Sequence, residues 1–252
     1  MKASKLIMLG VAMVGLCLTG RTMAQSVVSI VGSPHDLNHV LGANFVTNGE
    51  VCRPCHTPHN APYNNGSLLW NHQVDMSKTY TLYQVVNPTN NSQSANPVLD
   101  NTSRLCLSCH DGAIDIDSFG RNNDGSLMQS GKTLIGSLST YQGWKGGYVI
   151  GGTAGNDLST DHPIGIGYPG ATLSGTVLSF TPGTPNAFNS PLTGANFLSG
   201  GVAGGPGVKL VKLPDGRVGV GCTSCHEPHD KSLYFQRMNN TGSALCLSCH
   251  IK

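Results

Sequence analysis

Four short stretches of this chain carry one pattern: Cys52-Arg-Pro-Cys55-His56, Cys106-Leu-Ser-Cys109-His110, Cys222-Thr-Ser-Cys225-His226 and Cys246-Leu-Ser-Cys249-His250. Cysteines at i and i+3 share one face of a helical turn. Two sulfurs so placed can bond the two vinyl carbons along one haem edge, and a histidine directly after the second cysteine is held under the ring, where its imidazole reaches the iron. Paired C-x-x-C is also a zinc-ribbon pattern, and zinc is the competing reading. Histidine is only 10 of 252 residues, so its chance occurrence after all four pairs is on the order of one in a few hundred thousand. Apart from Cys17, every cysteine lies in one of these motifs. The expectation is therefore four covalent haem c groups on Cys52, Cys55, Cys106, Cys109, Cys222, Cys225, Cys246 and Cys249, with His56, His110, His226 and His250 as proximal iron ligands.

Residues 1–24 read as a secretory signal. Lys2 and Lys5 make a basic start, Leu6 to Leu18 an apolar core too short to span a membrane, and Thr22-Met23-Ala24 a small-residue cleavage site before Gln25. Cys17 follows Leu16, which is too large for a lipoprotein site. Export agrees with the motifs, because haem c is attached on the exported side of a membrane. Of 15 Lys and Arg, three (Lys2, Lys5 and Arg21) lie in the leader, leaving 12 against 13 Asp and Glu, a charge of −1. Haem propionates would make it more negative, which excludes nucleic acid as a partner by charge. No second apolar run is long enough to cross a bilayer.

With 11% charged residues, 6% aromatics, 33 Gly and 14 Pro, such a chain would bury a poor core by itself. Four porphyrins supply broad apolar faces instead. The expected fold is mostly irregular and loop-rich, with short helical turns at the motifs, a few β-hairpins and the haems as the core. A single tetrahaem domain is expected over 25–252: a first haem pair in 25–126, a Gly-rich loop and β insertion carrying His162 in 127–221, and a second haem pair in 222–252. A hairpin is predicted around Pro214-Asp215-Gly216.

The chain repeats internally. Each half has a histidine beside an Asp (His35-Asp36; Asp161-His162), then C-x-x-C-H-x-P-H (Cys52 to His59; Cys222 to His229), then L-C-L-S-C-H (Leu105 to His110; Leu245 to His250). Complete bis-histidine coordination needs four distal ligands, and the repeat selects His35, His59, His162 and His229, with His39 the alternative to His35. His59 and His229 follow a proximal histidine by three residues and cannot pass round the edge of the same haem, so each is expected on a neighbouring one. Pro58 and Pro228 restrict the backbone that presents them. Asp36 and Asp161 are candidates to accept the second ring N–H of His35 and His162. His72 has no counterpart and reads as a packing or surface residue, and Met76, Met128 and Met238 are not needed as ligands.

The string C-x-x-C-H-T-P-H-N-A-P from Cys52, the L-C-L-S-C-H partners and D-H-P-I-G from Asp161 resemble the doubled C-x-x-C-H family of multihaem c-type cytochromes. The four-haem count, the Gly- and Asn-rich loops and the leader resemble its extracellular tetrahaem members that polymerise into electron-conducting filaments. The resemblance implies low-spin bis-histidine haems stacked in pairs along a continuous chain. The expected role is electron transfer, with other redox proteins, an extracellular electron acceptor and further copies of the chain as partners. The expected place is extracellular or at the cell surface, with a soluble periplasmic shuttle as the alternative. A multihaem nitrite or hydroxylamine enzyme would need an open or Lys-ligated iron; no C-x-x-C-K occurs and histidine is in surplus, so an enzyme is not expected. Only Ile251 and Lys252 follow the fourth motif, so its haem is expected at an edge. The apolar arm Gln25 to Ile30 and the histidines after it then predict head-to-tail contact with the next subunit, with His35 or His39 the candidate for a ligand across the junction.

Overall fold

The computed structural model describes residues 29–41, 49–59, 61, 69–83, 97–120, 140–141, 144–145, 149–152, 155–168, 171–174, 177–180, 208–231 and 235–249. The expected leader with Cys17, the start of the N-terminal arm, Met128, much of the Gly-rich insertion and His250 lie outside the described residues.

Regular structure is short. The helices are α1 (Leu37–Leu41), α2 (Asn101–His110), α3 (Cys222–Cys225) and α4 (Ala244–Leu247), the last entered through a 3₁₀ turn at Thr241–Ser243. The strands are β1 (Thr81–Leu82), β2 (Thr140–Tyr141), β3 (Trp144–Lys145), β4 (Asp157–Leu158), β5 (Ile166–Gly167), β6 (Ala171–Ser174), β7 (Val177–Phe180), β8 (Val211–Lys212) and β9 (Val218–Val220). β1 pairs with β4 in parallel, β2 with β3 and β6 with β7 antiparallel, and β5, β9 and β8 form an antiparallel three-stranded sheet in that order. Pro214-Asp215-Gly216 makes the turn between β8 and β9; Gly216 sits at φ +90°, a conformation that glycine enters without strain.

Two small apolar clusters hold these pieces. Leu107, from inside the second C-x-x-C-H, packs with Leu82, Leu99 and Leu158 and so joins α2 to the β1–β4 pair. Tyr168, Ala171, Leu210, Val218 and Val220 form the other, and Cys249 packs on its edge, which seats the fourth motif against the three-stranded sheet.

Asp100 caps α2 by accepting from Ser103 N at 2.9 Å, satisfying a free donor of the first turn. Ser103 Oγ donates to the same carboxylate and accepts from Cys222 N at 2.8 Å, so the cap of α2 also locks the start of α3. Gly221 lies against that carboxylate; a Cβ there would stand 2.4 Å from Asp100 Oδ2, so close approach requires glycine. The second and third motifs are thereby held together by polar contacts across the two halves of the chain.

Asp36 is not the partner of the His35 ring. It caps α1, accepting from His39 N at 3.4 Å with Oδ1 and from Gly32 N at 2.9 Å with Oδ2. The free N–H groups of a helix start lie within reach of an adjacent short carboxylate, and that local bond wins.

Candidate functional site

The first motif is a single turn, closed by His56 N donating to Cys52 O at 2.8 Å. The segment Leu69-Trp70-Asn71 clamps it. Thr57 N donates to Leu69 O at 3.0 Å, Asn71 N to Cys55 O at 2.9 Å, and Asn71 Nδ2 to Arg53 O at 2.6 Å. The third motif is clamped in the same way by Phe235-Gln236-Arg237. Glu227 N donates to Phe235 O at 2.7 Å, Arg237 N to Cys225 O at 2.9 Å, and Arg237 Nε to Thr223 O at 2.7 Å. Leu69 and Phe235 both have positive φ, 47° and 63°, costly for side chains of this size and a mark of an imposed local geometry. The repeat therefore extends to a clamp whose residues share no identity, which is why it is invisible in the sequence.

The second motif is the last turn of α2, and the fourth runs through α4 into the turn after it. Their shared serine acts on the backbone: Ser108 Oγ donates to Leu105 O at 2.7 Å and Ser248 Oγ to Ala244 O at 2.9 Å. The four motifs neighbour one another in chain order. Cys55 lies within electrostatic range of Cys109, Cys106 within range of Cys222, and Cys225 within range of Cys249. The outermost cysteines, Cys52 and Cys246, are exposed, while the other six are partly covered.

Imidazoles meet in pairs. The rings of His56 and His229 have centres 6.0 Å apart, and those of His110 and His35 6.1 Å apart. An imidazole nitrogen binds a first-row metal at about 2 Å and the ring centre lies about 1 Å beyond, so two imidazoles across one iron have centres about 6 Å apart. Both separations fit that span. In both couples the distal candidate has its Nδ1 occupied: His35 Nδ1 donates to Pro228 O at 3.1 Å, and His229 Nδ1 to Glu227 Oε1 at 2.9 Å. A carbonyl or carboxylate can only accept, so Nδ1 carries the proton and Nε2 keeps its lone pair for a metal. The His35 ring stacks on Phe235 at 4.3 Å, and burial pulls its pKa down to about 4, so it is neutral as a ligand must be. The residues present thus fit haem with two axial imidazoles. Among the described residues no group of three or more His, Cys, Asp or Glu is arranged to hold a bare metal ion.

Residues 216–252 match the doubled CXXCH motif. No curated protein matches the chain. The doubled motif supports a multihaem c-type cytochrome with covalent haem c and a role in electron transfer. The match covers the third and fourth motifs with their short spacer; the first half has the same order of signatures with a longer spacer.

Inside the doubled motif sits a buried ion pair that composition gave no reason to expect. Glu227 Oε2 meets Arg237 at 2.9 Å, with both side chains under a tenth exposed. The hydrogen bond from His229, helped by the Arg237 charge, holds the Glu227 carboxyl down to about 2 against the penalty of burial. The only signal in the sequence was the difference between E-P-H here and T-P-H in the first half.

The remaining candidates are dispersed. His59, His162 and His39 are exposed. Asp161, beside His162, is exposed as well. Met76 faces solvent, and Met238 sulfur lies 3.3 Å from Ser248 Oγ. His72 is buried at 1% exposure, its Nδ1 2.8 Å from Gln73 O and its Nε2 3.0 Å from Asp115 O. Burial lowers its pKa, so the neutral ring donates to one of these carbonyls only; Nδ1 also lies 3.2 Å from Ser108 Oγ, and the ring packs the 70–73 segment against the 115–119 segment. His72→Ala should therefore leave the visible and EPR spectra of the haem-loaded protein unchanged while costing about 2 kcal/mol in stability. Denaturant unfolding beside the spectra checks both halves of that expectation.

Proposed function

We propose that the chain is an exported tetrahaem c-type cytochrome that carries electrons along closely spaced bis-histidine haems and joins head to tail into an extracellular filament. The observation that carries the reading is the pair of imidazole couples, His56 with His229 and His110 with His35, in a chain with four C-x-x-C-H motifs. Haem c supplies a one-electron iron couple, and two imidazoles leave it no open position for a substrate.

The repeat extends the two couples to a full set. His229 of the second half stands by His56 of the first, so the reciprocal assignment is His59 to the iron of His226. His35 opens the first half and stands by His110, its second motif, so His162, which opens the second half, is assigned to the iron of His250. All four assignments stay within one chain, and His39 is left over.

The contacts among the motif cysteines, with His229 beside His56, support a compact, continuous set of four sites in which α2 and α3 join the two halves. The exposed cysteines Cys52 and Cys246 belong to its first and last members, so electrons would enter at one end and leave at the other. Large apolar faces at two ends of one molecule favour burial against another copy, and contact of unlike ends gives an open assembly.

Mass spectrometry of the purified exported protein should show four covalent haem additions and removal of residues 1–24. Fewer additions, or stoichiometric zinc, would refute the reading.

A further inference from the structure

The two clamps are alike in backbone and unlike in charge. Where the first half has Thr57 and Asn71, the second has Glu227 and Arg237. Thr57 Oγ1 turns to its own loop and donates to His59 O at 2.8 Å. Glu227 instead reaches forward to His229 Nδ1 at 2.9 Å, while its other oxygen is fixed by Arg237, itself anchored on Thr223 O. The carboxylate is thus held between Arg237 and His229 and aimed at one imidazole. Lys209 stands within electrostatic range of the same pair. The distal candidate of the other couple, His35, has the neutral carbonyl of Pro228 at its Nδ1.

We propose that Glu227 is a positioning residue that sets the reduction potential of the iron shared by His56 and His229, making it lower than it would be with a neutral acceptor. The proposal rests on the reading of His229 as a distal ligand. An ionised acceptor draws the Nδ1 proton and makes the imidazole a stronger donor, which favours the oxidised iron. Arg237 orients the carboxylate and tempers its charge. The distal imidazole of the other couple, His35, has a neutral carbonyl at its Nδ1, so the charge behind the distal ring differs between the two couples although both are bis-histidine.

The test is a spectroelectrochemical titration of the haem-loaded full-length protein, with low-temperature EPR of the oxidised state. In Glu227→Gln one of four one-electron components should move upward by at least a tenfold change in its reduction equilibrium, about 59 mV, with every haem still low-spin and one set of g-values altered. Because Glu227→Gln leaves Arg237 buried without its partner, a double variant, Glu227→Thr with Arg237→Asn, rebuilds the neutral pair of the first clamp. It should give the same upward shift in a well-folded protein. Glu227→Asp with a shift smaller than that of Glu227→Gln would show rescue by retained charge. If no component moves in the double variant, or if all four move together, the proposal is overturned. His229→Ala separates the underlying reading: a high-spin haem there with unmoved potentials in the Glu227 variants defeats the positioning role alone, whereas no high-spin haem defeats the ligand assignment itself.

Discussion

His229→Ala will turn one haem of four from low-spin to high-spin, and His35→Ala will do the same to a different one. Each substitution removes the imidazole standing about 6 Å from a proximal ring, leaving His56 or His110 as sole axial protein ligand. A high-spin EPR signal near g = 6 should account for about a quarter of the iron in each single variant and about half in the double. The potential of the altered site should rise, since a second imidazole stabilises the oxidised iron. His35→Ala carries a second cost: Phe235 loses its stacking partner and Pro228 O its donor, so some local loosening around the third motif accompanies the spectral change. His39→Ala, on the exposed face of α1, should leave the spectrum unaltered in dilute protein. A fully low-spin His229→Ala protein, or a high-spin His39→Ala protein, would show that the couples seen in the fold are not the axial couples.

Polymerisation should be abolished by shortening the N-terminal arm without touching the ligands. The proposed junction joins the exposed first-motif end of one copy to the exposed fourth-motif end of the next. A mature chain lacking residues 25–30 keeps His35, Asp36 and the α1 cap, so its four haems should remain low-spin. Native material imaged by electron microscopy should show unbranched filaments, and the shortened chain monomers or short oligomers. A native protein that stays a monodisperse monomer at high concentration, with all haems low-spin, would remove the filament and leave a diffusing electron carrier. High-spin haem in the monomer that vanishes on assembly would instead point to a ligand passing between copies, against the intrachain set proposed above.

How much of this was legible before the fold? The C-x-x-C-H motifs were, because each is five consecutive residues of one turn, and the doubled-motif match falls on the third and fourth. His72 was read as a surface or packing residue for want of a repeat partner, and it is buried, with Gln73 O and Asp115 O beside its ring nitrogens. The Pro214-Asp215-Gly216 turn was readable from backbone chemistry alone. Asp36 was misread, since adjacency to His35 is equally adjacency to a helix start, and geometry chose the latter. The clamps were not readable at all. Leu69, Trp70 and Asn71 share no residue type with Phe235, Gln236 and Arg237, and what repeats is the path of the backbone.

Residue type and local spacing alone determine which histidines stand beside which cysteines, and hence the kind of chemistry. Which imidazole faces which is decided by tertiary contacts: His35 meets Pro228 from 193 residues away, and Cys222 takes its place through Ser103, 119 residues earlier. A covalent motif acts within one turn of chain, where sequence order and spatial order coincide. An axial couple needs two rings on opposite sides of one plane, and a chain cannot bring both there within a few residues. Only folding closes that distance, and only the tertiary structure puts the Glu227 carboxylate at the His229 ring and a neutral carbonyl at the His35 ring.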